Sequence, residues 1–164
     1  MGIFVTYPDP VLSKVAVARP VDDAMRAAGV ALQAAATEVQ AYGLAAAHMG
    51  RLEPLVVVSL AGAGETRDYR VLYNPKILDS AATGSPGPEG SVSMPGIEVP
   101  IERAEWVQIG FDDVAGMSQT LRLDGFAARV AQHEIDQLEG IFFLNRLSRL
   151  KRDTAIRKFH KSQR

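Results

Sequence analysis

The chain has 164 residues, a formal net charge of −1, 47% hydrophobic and 23% charged residues, and no cysteine. That size suits one core, so a single domain over 1–164 is expected, and the missing thiol excludes disulfide frameworks, thiolate zinc sites, iron–sulfur clusters and cysteine nucleophiles. His48, His133 and His160 are left as the only imidazole ligands, and without an apolar run of about 18 residues or a secretory pattern the expected compartment is the cytoplasm, with no membrane contact.

The opening Met1-Gly2-Ile3-Phe4-Val5-Thr6 fits a myristoylation pattern, but Val5 reads as the start of a structured segment and the pattern is set aside. Asp22 can cap a helix whose stripe is Met25, Ala28, Leu32, Ala35 and Val39, with Gly43 able to stop it. Leu55 to Leu60 and Arg70 to Tyr73 read as a hairpin around Ala61–Gly64, the second strand broken by Asn74-Pro75. Ser80 to Gly90, rich in Gly, Ser and Pro, reads as a loop. Strands are expected at Glu105 to Phe111 and Gln119 to Leu123, giving an antiparallel meander.

Asp124-Gly125 then opens a second helix on which Phe126, Val130, His133 and Gln137 share one stripe and which Gly140 ends. A last helix is expected from a Ser148 cap through Leu150, Ala155 and Phe159. From Arg146 to Arg164 there are eight Lys/Arg against the single acid Asp153, whereas the preceding residues are net acidic. Clustered cations of this kind suit a polyanionic partner such as RNA, because they displace counterions from phosphates; a solvated surface helix is the plainer reading.

Within the second helix, Gln132-His133-Glu134-Ile135-Asp136-Gln137 is one residue away from His-Glu-x-x-His, the pattern in which two His one turn apart hold a metal and the Glu takes a proton from its water. Two further segments accompany it, Gly43-Leu44-Ala45-Ala46-Ala47-His48 and Glu89-Gly90-Ser91-Val92-Ser93. Together, in this order and spacing, the three resemble the motifs of the peptide deformylases: Gly-x-Gly-Leu-Ala-Ala-x-Gln, Glu-Gly-Cys-Leu-Ser and Gln-His-Glu-x-Asp-His-Leu-x-Gly. Supporting matches run from Pro8-Asp9-Pro10-Val11-Leu12 through Tyr73-Asn74-Pro75 and Val99-Pro100 to Leu147-Ser148.

The resemblance implies an α+β deformylase-like fold, with antiparallel strands around the helix carrying the third motif and a C-terminal helix. It also implies a divalent metal, typically iron, held by the Cys of the second motif and both His of the third, with the Glu as proton shuttle. Position by position, the metal ligand His133 and the catalytic Glu134 are kept, while Ser91 and Gln137 occupy the other ligand positions. His48 stands where a Gln helps stabilise the developing oxyanion, and Ala41 replaces a Gly. Gly43, Leu44, His48, Gly90 and Val92 are expected to contact substrate, the strand-like Gly43-Leu44 and Gly90-Ser91-Val92 pairing with an extended peptide.

A serine hydroxyl is a poor substitute for a thiolate, and an amide carbonyl suits hard cations rather than iron or zinc. No cofactor is therefore expected, and Ser91, His133 and Gln137 are expected to close into a neutral polar cluster. The function expected is that of a deformylase-like protein whose metal-dependent deformylation of N-formylmethionyl peptides is lost or greatly reduced, with an N-terminal peptide as ligand and a ribosome or RNA contact through residues 146–164. The alternative is an active metallohydrolase on N-formyl substrates, holding iron or zinc in a site rewritten around His48 and His133. Ser91 acting as a nucleophile with His133 as its base is a further route.

Overall fold

The five residues of β2, Leu55–Ser59, are all buried, because this strand is covered on both sheet faces. Side chains alternate across a strand: Val56 and Val58 pack with Ala128, Ala131 and Ile135 of α2 (Gly125–Leu138). Leu55 and Val57 pack on the other side with Met25, Leu32 and Ala36 of α1 (Asp23–Val39). The structure, a computed structural model, describes residues 2–164; of the myristoylation pattern, Met1 lies outside them, while Val5 donates its N–H to the His48 carbonyl at 2.8 Å.

The main sheet is antiparallel in the order β1-β2-β3-β6-β7, from β1 (Gly43–Ala45) and β3 (Tyr69–Ser80) to β6 (Trp106–Asp112) and β7 (Ser118–Asp124). Between β3 and β6 the chain makes a separate hairpin of β4 (Gly84–Glu89) and β5 (Val99–Ala104). A third cluster, Leu12, Met94, Ile101, Phe143 and Phe159, sits under α3 (Arg149–Ser162). The result is the α+β architecture expected, antiparallel strands around α2 with a C-terminal helix. No helix among the described residues is long and apolar enough to cross a membrane.

Both expected caps form, Asp22 accepting from the Met25 N–H and Ser148 from the Lys151 N–H. Three element expectations are corrected. The first helix ends at Val39 with Gln40 in the left-handed region, so Gly43 starts a strand instead of stopping a helix. Asn74-Pro75 does not break β3: Asn74 takes a positive φ of 50°, the ladder slips between Tyr73 and Lys76, and pairing to β6 resumes. The Gly/Ser/Pro stretch holds strand β4, because β5 supplies its partner from outside the segment and edge strands tolerate Pro86 and Pro88.

Candidate active site

A cavity of about 340 Å³ opens between β1, the turn carrying His48, the end of β4 with the residues after it, and α2. Residues 126, 129, 130, 133 and 134 of α2 all reach it, the spacing of one helix face. β1 lies so close that a Cβ on Gly43 would come within 2.7 Å of Val130 and 3.0 Å of the Glu134 side chain. Glycine at this position lets the edge strand lie against the helix. Gly43, Leu44, His48, Gly90, Ser91, Val92, His133 and Glu134 all line the cavity, whereas Gln137 does not. Gly90 and Val92 follow the end of β4, Val92 in a turn, and neither belongs to a strand.

His133 is oriented by Glu89, whose Oε1 lies 2.9 Å from Nδ1. Arg103 holds the same carboxylate with Nε and Nη2, both at 2.9 Å, and Arg129 Nη1 adds a third guanidinium contact at 2.9 Å. Burial pushes Glu89 up, but the hydrogen bonds from Arg103 and His133 outweigh it and hold the acid at about 2. An ionised Glu89 requires His133 to donate from Nδ1, which leaves Nε2 as the ring's proton-accepting position. Burial lowers the basicity of His133, but the charges of Glu134 and Glu89 raise it above the ordinary value.

His48 is fixed in the opposite sense. Its Nδ1 accepts the Ala45 N–H at 3.0 Å, and burial, reinforced by the charge of His133, pulls the ring down to about 3. The neutral ring therefore carries its hydrogen on Nε2 and presents a donor there. Glu134 Oε1 lies 3.7 Å from His48 Nδ1, a contact without an ion pair, since the ring is uncharged and Nδ1 has no hydrogen to give. Burial pushes Glu134 up to about 7. Neither His48 Nε2 nor Glu134 Oε1 has a hydrogen-bond partner among the described residues, although both are fully buried atoms. One end of the cavity thus offers a fixed N–H donor, an imidazole whose Nε2 accepts a proton when the ring is neutral and a carboxyl group that changes charge near neutrality.

Ser91, His133 and Gln137 do not form the expected polar cluster. Ser91 Oγ turns back to accept the Ser93 N–H at 3.1 Å, and Gln137 Nε2 donates to the Leu12 carbonyl at 2.7 Å. Each buried polar group has found a nearer backbone or charged partner. The Ser91–His133 hydrogen bond that a serine nucleophile would use is likewise not formed.

The sequence profile of the family described as Polypeptide deformylase matches residues 1–153. The chain belongs to the peptide deformylase family. It is 45% identical to a protein named Peptide deformylase-like of Agrobacterium fabrum over 121 residues, 74% of this chain and 71% of that one. It is 36% identical over 160 residues to a protein named Peptide deformylase of Brucella suis, 96% of this chain and 90% of that one. A crystal structure of peptide deformylase from Ehrlichia chaffeensis superposes with a TM-score of 0.89 at 30% identity, covering 98% of this chain and 95% of the other.

Measured against the deformylase family's metal, the ligand positions do not fit. Ser91 brings a neutral hydroxyl already committed to a backbone N–H, and Gln137, bonded through Nε2 to the Leu12 carbonyl, is not among the residues that line the cavity. Only His133 keeps an imidazole nitrogen directed to the cavity side. A second group, His48, His133 and Glu134, has potential ligand atoms within 4.8 Å of one another. Coordination through His48 Nε2 would require the hydrogen to move to Nδ1, against the Ala45 N–H already pointing there.

Several residues of the site escaped the sequence reading. Glu89 and Asp136 stand inside the quoted motifs, and their acidic character was the available signal. Arg103 bridges them, with Nη1 2.6 Å from Asp136, and Arg146 closes on Asp136 from outside. Nothing in the spacing of Arg103 or Arg129 marks them, because β5 brings Arg103 and α2 brings Arg129 to the acid at the end of β4.

Proposed function

We propose that this member of the deformylase family keeps the cleft for the blocked N-terminus of a peptide and has lost, or greatly reduced, metal-dependent deformylation. The observation that carries the reading is that Gln137 is bonded to Leu12 and absent from the cavity lining, while Ser91 is turned onto the backbone. If a four-ligand site yields about 10–16 kcal/mol, two lost ligands cost about 5–8, or four to six orders of magnitude in affinity. Glu134 then lacks a metal-bound water to deprotonate. Peptide binding is supported by β1, which is the edge strand of its sheet and lines the cavity, so an extended chain can pair with it. His48 Nε2–H supplies a donor for an acyl oxygen at the cavity's inner end.

The second reading, a hydrolase rewritten around His48, His133 and Glu134, is favoured by their grouping and by two unpartnered buried atoms. The fixed hydrogen on His48 weighs against it. Elemental analysis of the purified protein, beside a deformylation assay on N-formylmethionyl peptides, separates the two. Substoichiometric metal, negligible turnover and measurable peptide binding are expected. A stoichiometric transition metal that disappears in His48→Ala would overturn the first reading.

The basic C-terminal region is proposed to contact RNA on the ribosome. Arg149, Lys151, Arg157, Lys158, Lys161 and Arg164 are all exposed along or just beyond α3, and the ion pair of Arg149 with Asp153 is loose at 3.9 Å.

A further inference from the structure

The outer end of the cavity has a different character from its inner end. Leu44, Val92, Phe126 and Val130 give it apolar walls, yet Arg129, one helical turn before His133, is part of the lining. Its side chain is 13% exposed. Nη1 is saturated by Glu89 Oε2 at 2.9 Å and the Ile101 carbonyl at 2.6 Å, and Nη2 gives one hydrogen to the Ser85 carbonyl at 2.7 Å. A guanidinium has five N–H donors. The Nε hydrogen and the second Nη2 hydrogen therefore have no acceptor among the described residues. Nε and Nη2 are also the two nitrogens with which Arg103 grips Glu89.

Two further observations set what these donors can take. A Cβ on Gly87 would meet Arg129 Cζ at 2.8 Å, Nη2 at 2.9 Å and Nε at 3.0 Å, so the guanidinium packs against a glycine where any side chain would displace it. Glu89 and Asp136 are held from within by Arg103 and Arg129, and Asp136 from outside by the half-exposed Arg146. Both oxygens of Glu89 are already taken by Arg103, Arg129 and His133, which limits its repulsion of a second acid.

We propose that Arg129 determines specificity, selecting peptides whose first side chain ends in a carboxylate over those with an apolar one such as methionine. The inference rests on the peptide-binding reading above. With the blocked terminus beside His48, His133 and Glu134, a side chain pointing along α2 needs to reach one helical turn, about 5.4 Å, to meet Arg129. That is within the span of a glutamate side chain. A bidentate carboxylate contact is both stronger and more exacting in geometry than a neutral one.

The test is calorimetric titration with N-formyl tripeptides that differ only at the first residue: Glu, Gln or Met. The wild-type chain is expected to bind the Glu peptide about tenfold more tightly than the Met peptide, with Gln between them. Arg129→Leu should reverse the order, and Arg129→Lys, which keeps charge but not the fork, should retain a reduced preference for Glu. Tightest binding of the Met peptide by the wild-type chain would overturn the proposal while leaving the peptide-binding reading intact; that comparison needs no variant, so it decides even if Arg129→Leu fails to fold. Survival of the Glu preference in a folded Arg129→Leu would also overturn it. If none of the three peptides binds, the peptide-binding reading fails and this inference with it.

Discussion

Gln137 donates its side-chain amide to the main-chain carbonyl of Leu12 at 2.7 Å, tying the last turn of α2 to the opening segment of the chain. Both residues are buried, at 1% and 2% exposure, so the bond fastens the C-terminal end of the helix to the cluster of Leu12, Phe142 and Phe143.

Replacing Gln137 by Leu, which is close in volume, strands the Leu12 carbonyl without opening a large cavity. A loss of about 1–3 kcal/mol is expected for the unsatisfied carbonyl. For a chain of this size that corresponds to roughly 2–4 °C of melting temperature per kcal/mol. Thermal melts followed by circular dichroism measure it, and an unchanged midpoint would show that the bond does not support the helix end.

Glu89→Gln is expected to be the more damaging change. Arg103, with its side chain 4% exposed, would lose the charge that its Nε and Nη2 hold and keep only Asp136. Breaking a buried pair from one side typically costs about 3–5 kcal/mol. Urea unfolding should show a correspondingly lower midpoint, and His133 should lose the raised basicity that Glu89 helps supply, seen as a shift of its ring titration to lower pH.

Stability should also carry a distinctive pH profile. Burial, aided by the charge of His133, moves His48 from 6.5 to about 3. Between those values the unfolded chain takes up a proton that the folded chain refuses, so stability falls as pH falls. Burial moves Glu134 the other way, from 4.5 to about 7. There the folded chain keeps a proton that the unfolded chain has released, so stability falls as pH rises. Each slope reaches about 1.4 kcal/mol per pH unit, and the two oppose one another between pH 4.5 and 6.5.

Below 4.5, Glu89 joins His48: held at about 2 by Arg103 and His133 against the effect of burial, it loses its contribution as it is protonated. A shallow plateau followed by a steep acid limb is expected. His48→Gln should make the acid limb shallower and turn the plateau into a steady decline with rising pH. Urea unfolding in half-unit pH steps reads both, and an acid limb of unchanged steepness would rule out His48 as its source.

Restoring the family's ligands should restore metal. Ser91→Cys with Gln137→His and His48→Gln is expected to raise transition-metal content toward stoichiometric and to bring back deformylation of N-formylmethionyl peptides. Because Gln137 is anchored to Leu12, Gln137→His alone should destabilise without gaining metal. Failure of the triple variant to take up metal, although folded, would place the divergence beyond the ligand positions.

The proposed RNA contact predicts steep salt dependence. Each phosphate contact contributes a slope of roughly −0.7 to −0.9 in log affinity against log salt. Lys158→Glu together with Lys161→Glu should weaken co-sedimentation with ribosomes at low salt and flatten its decline as salt rises. Salt-insensitive co-sedimentation, or none at low salt, would refute the contact.

The family, the α+β architecture and three segments of the cavity wall are legible in the order of residues alone. Those features rest on local signals: the stripe Phe126, Val130, His133 that sets one helix face, the caps Asp22 and Ser148, and short motifs whose residue types are the chemistry. That order also marks Ser91, Gln137 and His48 as the departures. What those departures do was decided by the folded backbone, which sets the partner of each: a distant carbonyl for Gln137, and backbone N–H groups two or three residues away for Ser91 and His48. Leu12 claims Gln137, Ala45 fixes the hydrogen of His48, Arg103 reaches Glu89 when β4 and β5 pair, and Arg129 reaches it from α2. β4 itself was illegible, since a Gly/Ser/Pro segment becomes a strand only when another strand satisfies its backbone. The missing cysteine excluded a thiolate ligand at once; that Ser91 would turn to the Ser93 N–H, and not toward His133, was settled by the nearest backbone donor in the folded chain.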